Sequence, residues 1–260
     1  MREEERYTAQ LFFKAVIPLI KDVALGTSLQ KSFEGKSGII QISADLDGEK
    51  EATHFILDKG EWTVRTGESE HKPDVELYFP NARKFNAFFK GTSKALPKIK
   101  GITHLGLLIP TFKTLLKMAA LLSAKEAPED EATKILVTKL FLYLLSVGIS
   151  TLNKMGHPDV HGWALKSPDR VYGWSVDGYD DVAAHLRVKA GKTRARRGVY
   201  TRSKPFFNMR FADIDSALAI LLQTGDMLAL TAEKKLIMEG APEFGAKIGD
   251  YMMLVGSYVQ

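Results

Sequence analysis

Several short stretches of the chain alternate apolar and polar residues with a period of two, the mark of a strand with one buried face. Residues 38–45 hold Ile40, Ile42 and Ala44 in one phase, 52–58 hold Phe55 and Leu57, and 74–79 hold Val75, Leu77 and Phe79. Another strand is predicted at 62–66, after the turn Asp58-Lys59-Gly60-Glu61, whose glycine suits a positive φ. The short loops between the early strands favour antiparallel pairing. Elsewhere the spacing lengthens to that of helices, at 7–25, 82–89 and 110–122, with Gly91 placed to close the second of them. A fifth strand is expected ahead of the last helix.

The same series then returns. A helix at 132–155 precedes strands at 170–177, 182–190, 193–197 and 206–211, followed by helices at 213–223, closed by Gly225, and at 242–255. A shift of 131 residues lays His54 on His185, Gly60 on Gly191, Arg65 on Arg196 and Gly67 on Gly198. A shift of 132 lays Ile40 and Ile42 on Tyr172 and Trp174, and Val75, Leu77 and Phe79 on Phe207, Met209 and Phe211. At 134, Gly91 meets Gly225 and Gly106 meets Gly240. The identities are few, but the shared order of glycines and the matched strand phase indicate an internal repeat. A polar stretch near 123–133, with Pro128 and a run of charges, marks the boundary and gives domains 1–126 and 127–260.

A sheet with one apolar face must cover it, and here only the helices are available to do so. They are unusually apolar. Phe85, Phe88 and Phe89 crowd one short helix; Ile214, Leu218, Leu221 and Leu222 crowd its counterpart; Met227, Met238, Met252 and Met253 add adaptable side chains. A filled core and a hollow one give the same pattern. If the interior is hollow, the first repeat lines it with Phe55, Leu77, Phe79, Phe85 and Phe88. The second lines it with Trp174, Leu186, Met209, Phe211 and Leu218, and with Leu222, Met238, Phe244 and Met252.

The second repeat runs from the strand FFNMRF (206–211) through a helix to Gly225, then through the strand-like KKLIMEG ending at Gly240, and on to a last helix. This order resembles the sterol-carrier-protein, or non-specific lipid-transfer, family in its type-two form. The 182–198 hairpin fits the same family; the likeness spans about 90 residues of the second repeat and, more weakly, 38–122 of the first. The resemblance implies an α+β fold: two tandem domains, each a mainly antiparallel five-stranded sheet with helices packed on one face. It also implies a tunnel between them for fatty acids, acyl-CoA esters, sterols, isoprenoids or phospholipids. The chain departs from a single-domain carrier in being doubled, so both repeats bind or one has become structural. The helix that opens each repeat has no assigned place in the family pattern.

Composition narrows the chemistry. There are no cysteines, which excludes disulfides, thiolate catalysis and cysteine-ligated zinc. Hydrophobic residues make up 45% and charged residues 26%, a globular balance, and the net charge of +5 is modest. The charged start of the chain is unlike a secretory signal, and the end of the chain is unlike a peroxisomal address. The apolar run at 102–124 is interrupted by His104, Pro110, Lys113 and Lys117 and is not read as a membrane span, so the cytoplasm is the default location. Gly191-Lys192-Thr193 ends like a phosphate loop, but Leu186 stands where its first glycine belongs. There is no Gly-x-Ser-x-Gly and no His-Glu-x-x-His. His157, Asp159 and His161 cluster in what is read as a loop and not a metal site. His54 and His185 are expected to face solvent from matched strand positions, or to form a polar site at each cavity mouth.

Arg187, Lys189, Lys192, Arg194, Arg196 and Arg197 make the second hairpin basic, either as a solvated face or as a dock for anionic membrane or an acyl-CoA phosphate. It lacks the interleaved aromatics of a single-strand nucleic-acid binder, so nucleic acid is not an expected partner. The expected function is non-catalytic binding and transfer of an apolar lipid, with no cofactor. The alternative is an accessory protein that presents a lipid or quinone precursor to partner enzymes. The lipid, the repeat that binds it and the oligomeric state stay open.

Overall fold

Pro18 decides the shape of the first helix. Without an amide proton it cannot bond the carbonyl four residues back, and the expected single helix is remodelled ahead of it. In the computed structural model, which describes residues 1–93 and 95–260, α1 (Glu3–Leu11) runs into a π-helical turn, Phe12–Val16, then a 3-10 turn, Ile17–Leu19, then α2 (Ile20–Leu25). The extra residue of a π turn absorbs the register change.

The chain divides into two units, Met1–Ala120 with Tyr258–Gln260, and Leu121–Ser257. In the first unit β1 (Gly38–Leu46), β2 (Glu49–Asp58), β3 (Glu61–Thr66) and β4 (Val75–Phe79) precede α3 (Ala82–Phe89), β5 (Lys98–Lys100) and α4 (Leu105–Leu122), whose last two residues belong to the second unit. The strand order is β3-β2-β1-β4-β5, with β1 and β4 parallel and the other neighbours antiparallel. The second unit opens with α5 (Glu131–Lys154), free of proline and unbroken, and α6 (Pro158–Lys166). Then come β6 (Arg170–Val176), β7 (Ala184–Lys189), β8 (Lys192–Arg197), β9 (Phe207–Phe211), α7 (Ile214–Leu221), α8 (Met227–Ala232), β10 (Leu236–Glu239) and α9 (Pro242–Val259), whose last two residues belong to the first unit. Its order, β8-β7-β6-β9-β10, repeats that of the first sheet, again with the central pair parallel. The fold is α+β, with two mixed, mainly antiparallel five-stranded sheets among the described residues.

Register makes the likeness specific. Ile40 pairs with Val75 and Gln41 with Glu76, as Tyr172 pairs with Phe207 and Gly173 with Asn208. Both strands of the parallel pair therefore correspond at a shift of 132. Gln41 also pairs with His54, and His54 with Arg65; Gly173 pairs with His185, and His185 with Arg196. The next two strands thus correspond at 131, and the lost residue lies in the first hairpin turn.

The shift of 134 is not what the backbone follows. Gly91 closes α3 at φ +68°, and its counterpart is Gln223, at φ +58°, not Gly225. The Thr92 amide bonds the Ala87 carbonyl as that of Thr224 bonds Ala219, which keeps the shift at 132. Beyond this point Gly240 follows β10 as Gly101 follows β5, both with positive φ. The seven additional residues of the second unit hold α8, begun by Asp226, whose carboxylate accepts from the Leu228 and Ala229 amides. The segment expected to be a loop at 157–161 is instead the start of α6, with Pro158 in its first turn, where a missing amide proton costs nothing.

Helices pack on the apolar face of each sheet. In the first unit Phe13 stacks on Phe85 at 4.3 Å, and Phe85 meets Phe79 edge-on at 5.4 Å. The Thr53 hydroxyl donates to the Phe13 carbonyl at 2.7 Å and ties β2 to the π turn. In the second unit α5 meets β8 through Ser150, Asn153 and Thr193, with Asn153 Nδ2 donating to Thr193 Oγ1 at 2.9 Å. Gly148 lets α9 approach: a Cβ there would lie 2.5 Å from Val255 Cγ1.

Candidate ligand-binding surfaces

The inward residues named from sequence fall into two groups. Phe55, Leu77, Phe79, Phe85, Trp174, Leu186, Met209, Phe211 and Leu218 are fully buried between sheet and helices. Phe88, Leu222, Met238 and Phe244 are half-buried, at the margin of that layer, and Met252 lies just inside it. In the first unit the layer is occupied by rings in mutual contact: Phe12 reaches Phe89 at 5.3 Å and Phe88 reaches Phe79 at 5.1 Å. In the second the seam under α9 is softer. The Trp174 indole donates to the Met252 sulfur at 3.3 Å, a weak acceptor for a buried N–H. At Gly245 a Cβ would meet the Phe207 ring at 2.7 Å and Met238 Sδ at 3.1 Å. Tyr251, on the same helix, is pushed up to about 12 by burial.

α4 and α5 both have the length and apolar composition to cross a membrane. In the 18-residue apolar stretch of α5, 78% of the residues are buried, and it is a core helix of its unit. α4 is 44% buried and leaves Leu105, Ile109 and Leu116 exposed on one side, beside Lys113 and Lys117. Pro110 lies inside α4, not at its start. It cannot bond the Gly106 carbonyl, and Lys36 Nζ takes up that oxygen instead.

The outward faces of the central strands are polar and covered, where exposure was expected. His54 and His185 are 6% and 9% exposed. Each Nδ1–H donates to a glycine carbonyl, Gly67 at 2.8 Å and Gly198 at 2.9 Å, so both imidazoles pin the chain where it leaves the third strand. In the first unit Glu76 lies at the centre of this face. Its carboxylate accepts from Gln41, Ser43, Lys50 and Lys100 at 2.6 to 3.0 Å. Burial raises its pKa, and the four donors together outweigh that and lower it to about 2.

The second unit differs at this place. Asn208 stands for Glu76 and Gly173 for Gln41, and a recess of about 300 Å³ opens there. Ser175, Asp177, Asp180, Tyr200, Arg210 and Glu239 line it further. Arg210 bonds Asp177 at 2.7 Å and Glu239 at 3.1 Å. The signal of this site in the sequence is the replacement of Gln41 by Gly173 at a shift of 132.

The basic hairpin is less uniform than its composition. Arg187 makes a two-pronged pair with Asp169, which Lys189 joins at 3.4 Å; Arg187 first, then Lys189, holds Asp169 down to about 2. Arg197 lies over the Tyr143 ring at 4.3 Å, on the side facing α5, and leaves the basic face. Lys189, Lys192, Arg194 and Arg196 remain exposed. His161 bonds Asn153 at 3.0 Å, and the described residues contain no group of three or more metal-ligating side chains.

No protein-family model matches the chain, and no curated protein does. Among solved structures, the ubiquinone synthesis protein UbiJ-SCP2 aligns over 45% of this chain and 96% of its own, at 13% identity and a TM-score of 0.28. A conserved hypothetical protein of Thermus thermophilus, suggested to be a sterol carrier protein, aligns over 44% and 84% at 15% identity and a TM-score of 0.27. At these scores the fold assignment rests on the strand order and register described above.

Proposed function

We propose that the second unit binds an apolar lipid between its sheet and α9, and that the chain carries or presents this lipid without a covalent step. The observation that carries the reading is the seam under α9. There Met238 and Phe244 are half-buried and Trp174 is met by a thioether, where the first unit has interlocked phenylalanines. Thioether side chains re-pack at low cost, which suits an interior that opens for a chain-like guest. The driving force is burial of hydrocarbon, roughly 0.8 kcal/mol per methylene before the entropy of binding is subtracted. Lys189, Lys192, Arg194 and Arg196 would hold the unit briefly against an anionic membrane during loading.

The accessory reading, in which the chain presents a lipid or quinone precursor to an enzyme, is favoured by the ring-filled first unit, which suits a supporting role. The two readings separate by rate. A carrier moves lipid between vesicles quickly, while a presenter exchanges slowly and co-purifies with a protein partner.

The test is mass spectrometry of lipid extracted from the purified full chain, with a fluorescent fatty-acid titration. A defined lipid class near one per chain is the expected result. Lipid-free protein that also ignores the fluorescent probe overturns the proposal.

A further inference from the structure

We propose that the recess on the outward face of the second sheet binds a small organic ammonium ion, independently of any lipid held on the inward face. In the first unit the equivalent place is filled by the chain's own ammonium groups. Lys50 Nζ and Lys100 Nζ each lie 2.8 Å from a Glu76 oxygen. Lys100 pairs with Glu76 across the sheet, as Glu239 pairs with Asn208 in the second unit. A carboxylate thus stands where an ammonium stood. Lys50 stands at the start of β2, just after the first hairpin turn, and the corresponding stretch of the second unit, 177–183, holds Asp177, Asp180 and Asp181 and no basic residue.

Gly173 removes the side chain that would close the space. A Cβ at Gly173 would lie 2.6 Å from Asn208 Oδ1, so the amide oxygen overhangs the bare backbone. The amide orientation is fixed by its other end. Asn208 Nδ2 donates at 3.0 Å to Glu239 Oε2, which only accepts, and at 3.0 Å to Ser175 Oγ. Arg210 uses one oxygen of Asp177 and one of Glu239. Asp177 Oδ1, Asn208 Oδ1 and the Asp180 carboxylate are left to accept. Three carboxylates against one guanidinium make the recess acidic within a chain of net charge +5. Acceptors in excess of donors, at a negative local potential, select a cation with several N–H groups and disfavour anions. At about 300 Å³ the recess suits a two- to four-carbon amine.

The experiment titrates the full chain with ethanolamine and with putrescine at neutral pH, read by calorimetry and by amide chemical shifts, with acetate and phosphate as anionic probes. Saturable binding of an amine, with shifts centred on Gly173, Ser175 and Asn208, is expected, and the anions should leave these signals in place. Gly173→Gln restores the first unit's residue and should weaken binding at least about tenfold. Because that variant crowds Asn208, Asp180→Asn on the exposed turn serves beside it and should weaken binding several-fold without a change in melting temperature. Preference for an anion, no binding of either amine, or amine binding that survives both substitutions overturns the proposal.

Discussion

The imidazoles of His54 and His185 make the same hydrogen bond, each from Nδ1 to the carbonyl of the glycine thirteen residues on, Gly67 at 2.8 Å and Gly198 at 2.9 Å. Each glycine in turn donates its amide back across the ladder, Gly67 to Ala52 and Gly198 to Ala183. The bond closes the exit from the third strand in both units. His54→Ala and His185→Ala should each destabilise the chain by roughly 1 to 2 kcal/mol, since each leaves a glycine carbonyl unpaired. Denaturant unfolding of both variants checks this, and equal losses are the expected sign of a shared role.

Glu76 links stability to acid. Its folded pKa, about 2, lies below the ordinary value of 4.5, so the carboxylate binds its proton less readily folded than unfolded. The stabilisation is complete above pH about 4.5 and is lost as pH falls toward 2. A plot of unfolding free energy against pH should therefore drop across this window in the native chain. Glu76→Gln should flatten that part of the drop and cost roughly 1.5 to 3 kcal/mol at neutral pH, because Lys100 loses its carboxylate partner and Lys50 keeps only Glu68.

Gly148 and Val255 form a fitted pair in the second unit. Gly148→Ala puts a methyl carbon 2.5 Å from Val255 Cγ1 and should cost roughly 1 to 3 kcal/mol. Val255→Ala in the same chain should recover part of that loss, and a double-mutant cycle in urea measures the coupling. Additive losses would show that α5 and α9 are not in tight contact there.

Exposed apolar residues of α4 give a contrast between stability and lipid handling. Leu116 is 70% exposed, so Leu116→Glu should change stability by less than about 0.5 kcal/mol. If α4 meets lipid surfaces, the same change should lower co-sedimentation with anionic vesicles several-fold.

For the carrier reading, Met252→Ala should alter lipid affinity more than Phe85→Leu does, because Met252 belongs to the adaptable seam and Phe85 to the ring-filled layer of the first unit. Lipid loading of the two purified variants, each checked by thermal melting, decides it.

The strands were legible because their signal is local. Ile40, Ile42, Val75, Leu77 and Phe79 share a phase in the sequence and a face in the sheet, and a one-residue slip would have reversed them all. Alternation tells which residues share a face but not whether something covers it, so it carries no signal for the burial of His54, His185 and Glu76. The helix ends were harder. Gly225 looked like the residue that closes α7, but Gln223 takes the left-handed conformation, and only the backbone geometry reveals it. α8 escaped notice because its six residues are too few for a period to show. The recess at Gly173 depends on a residue that is missing relative to the other sheet, which a hydrophobic pattern cannot register.

β8 carries one last consequence. It ends its sheet, and an end strand offers unpaired amides and carbonyls to any strand that drifts near. Its six residues, KTRARR, hold four cations. Two molecules meeting along this border would press like charges together at strand spacing, so the strand acts as a gatekeeper against fibril growth while the chain is crowded and newly made.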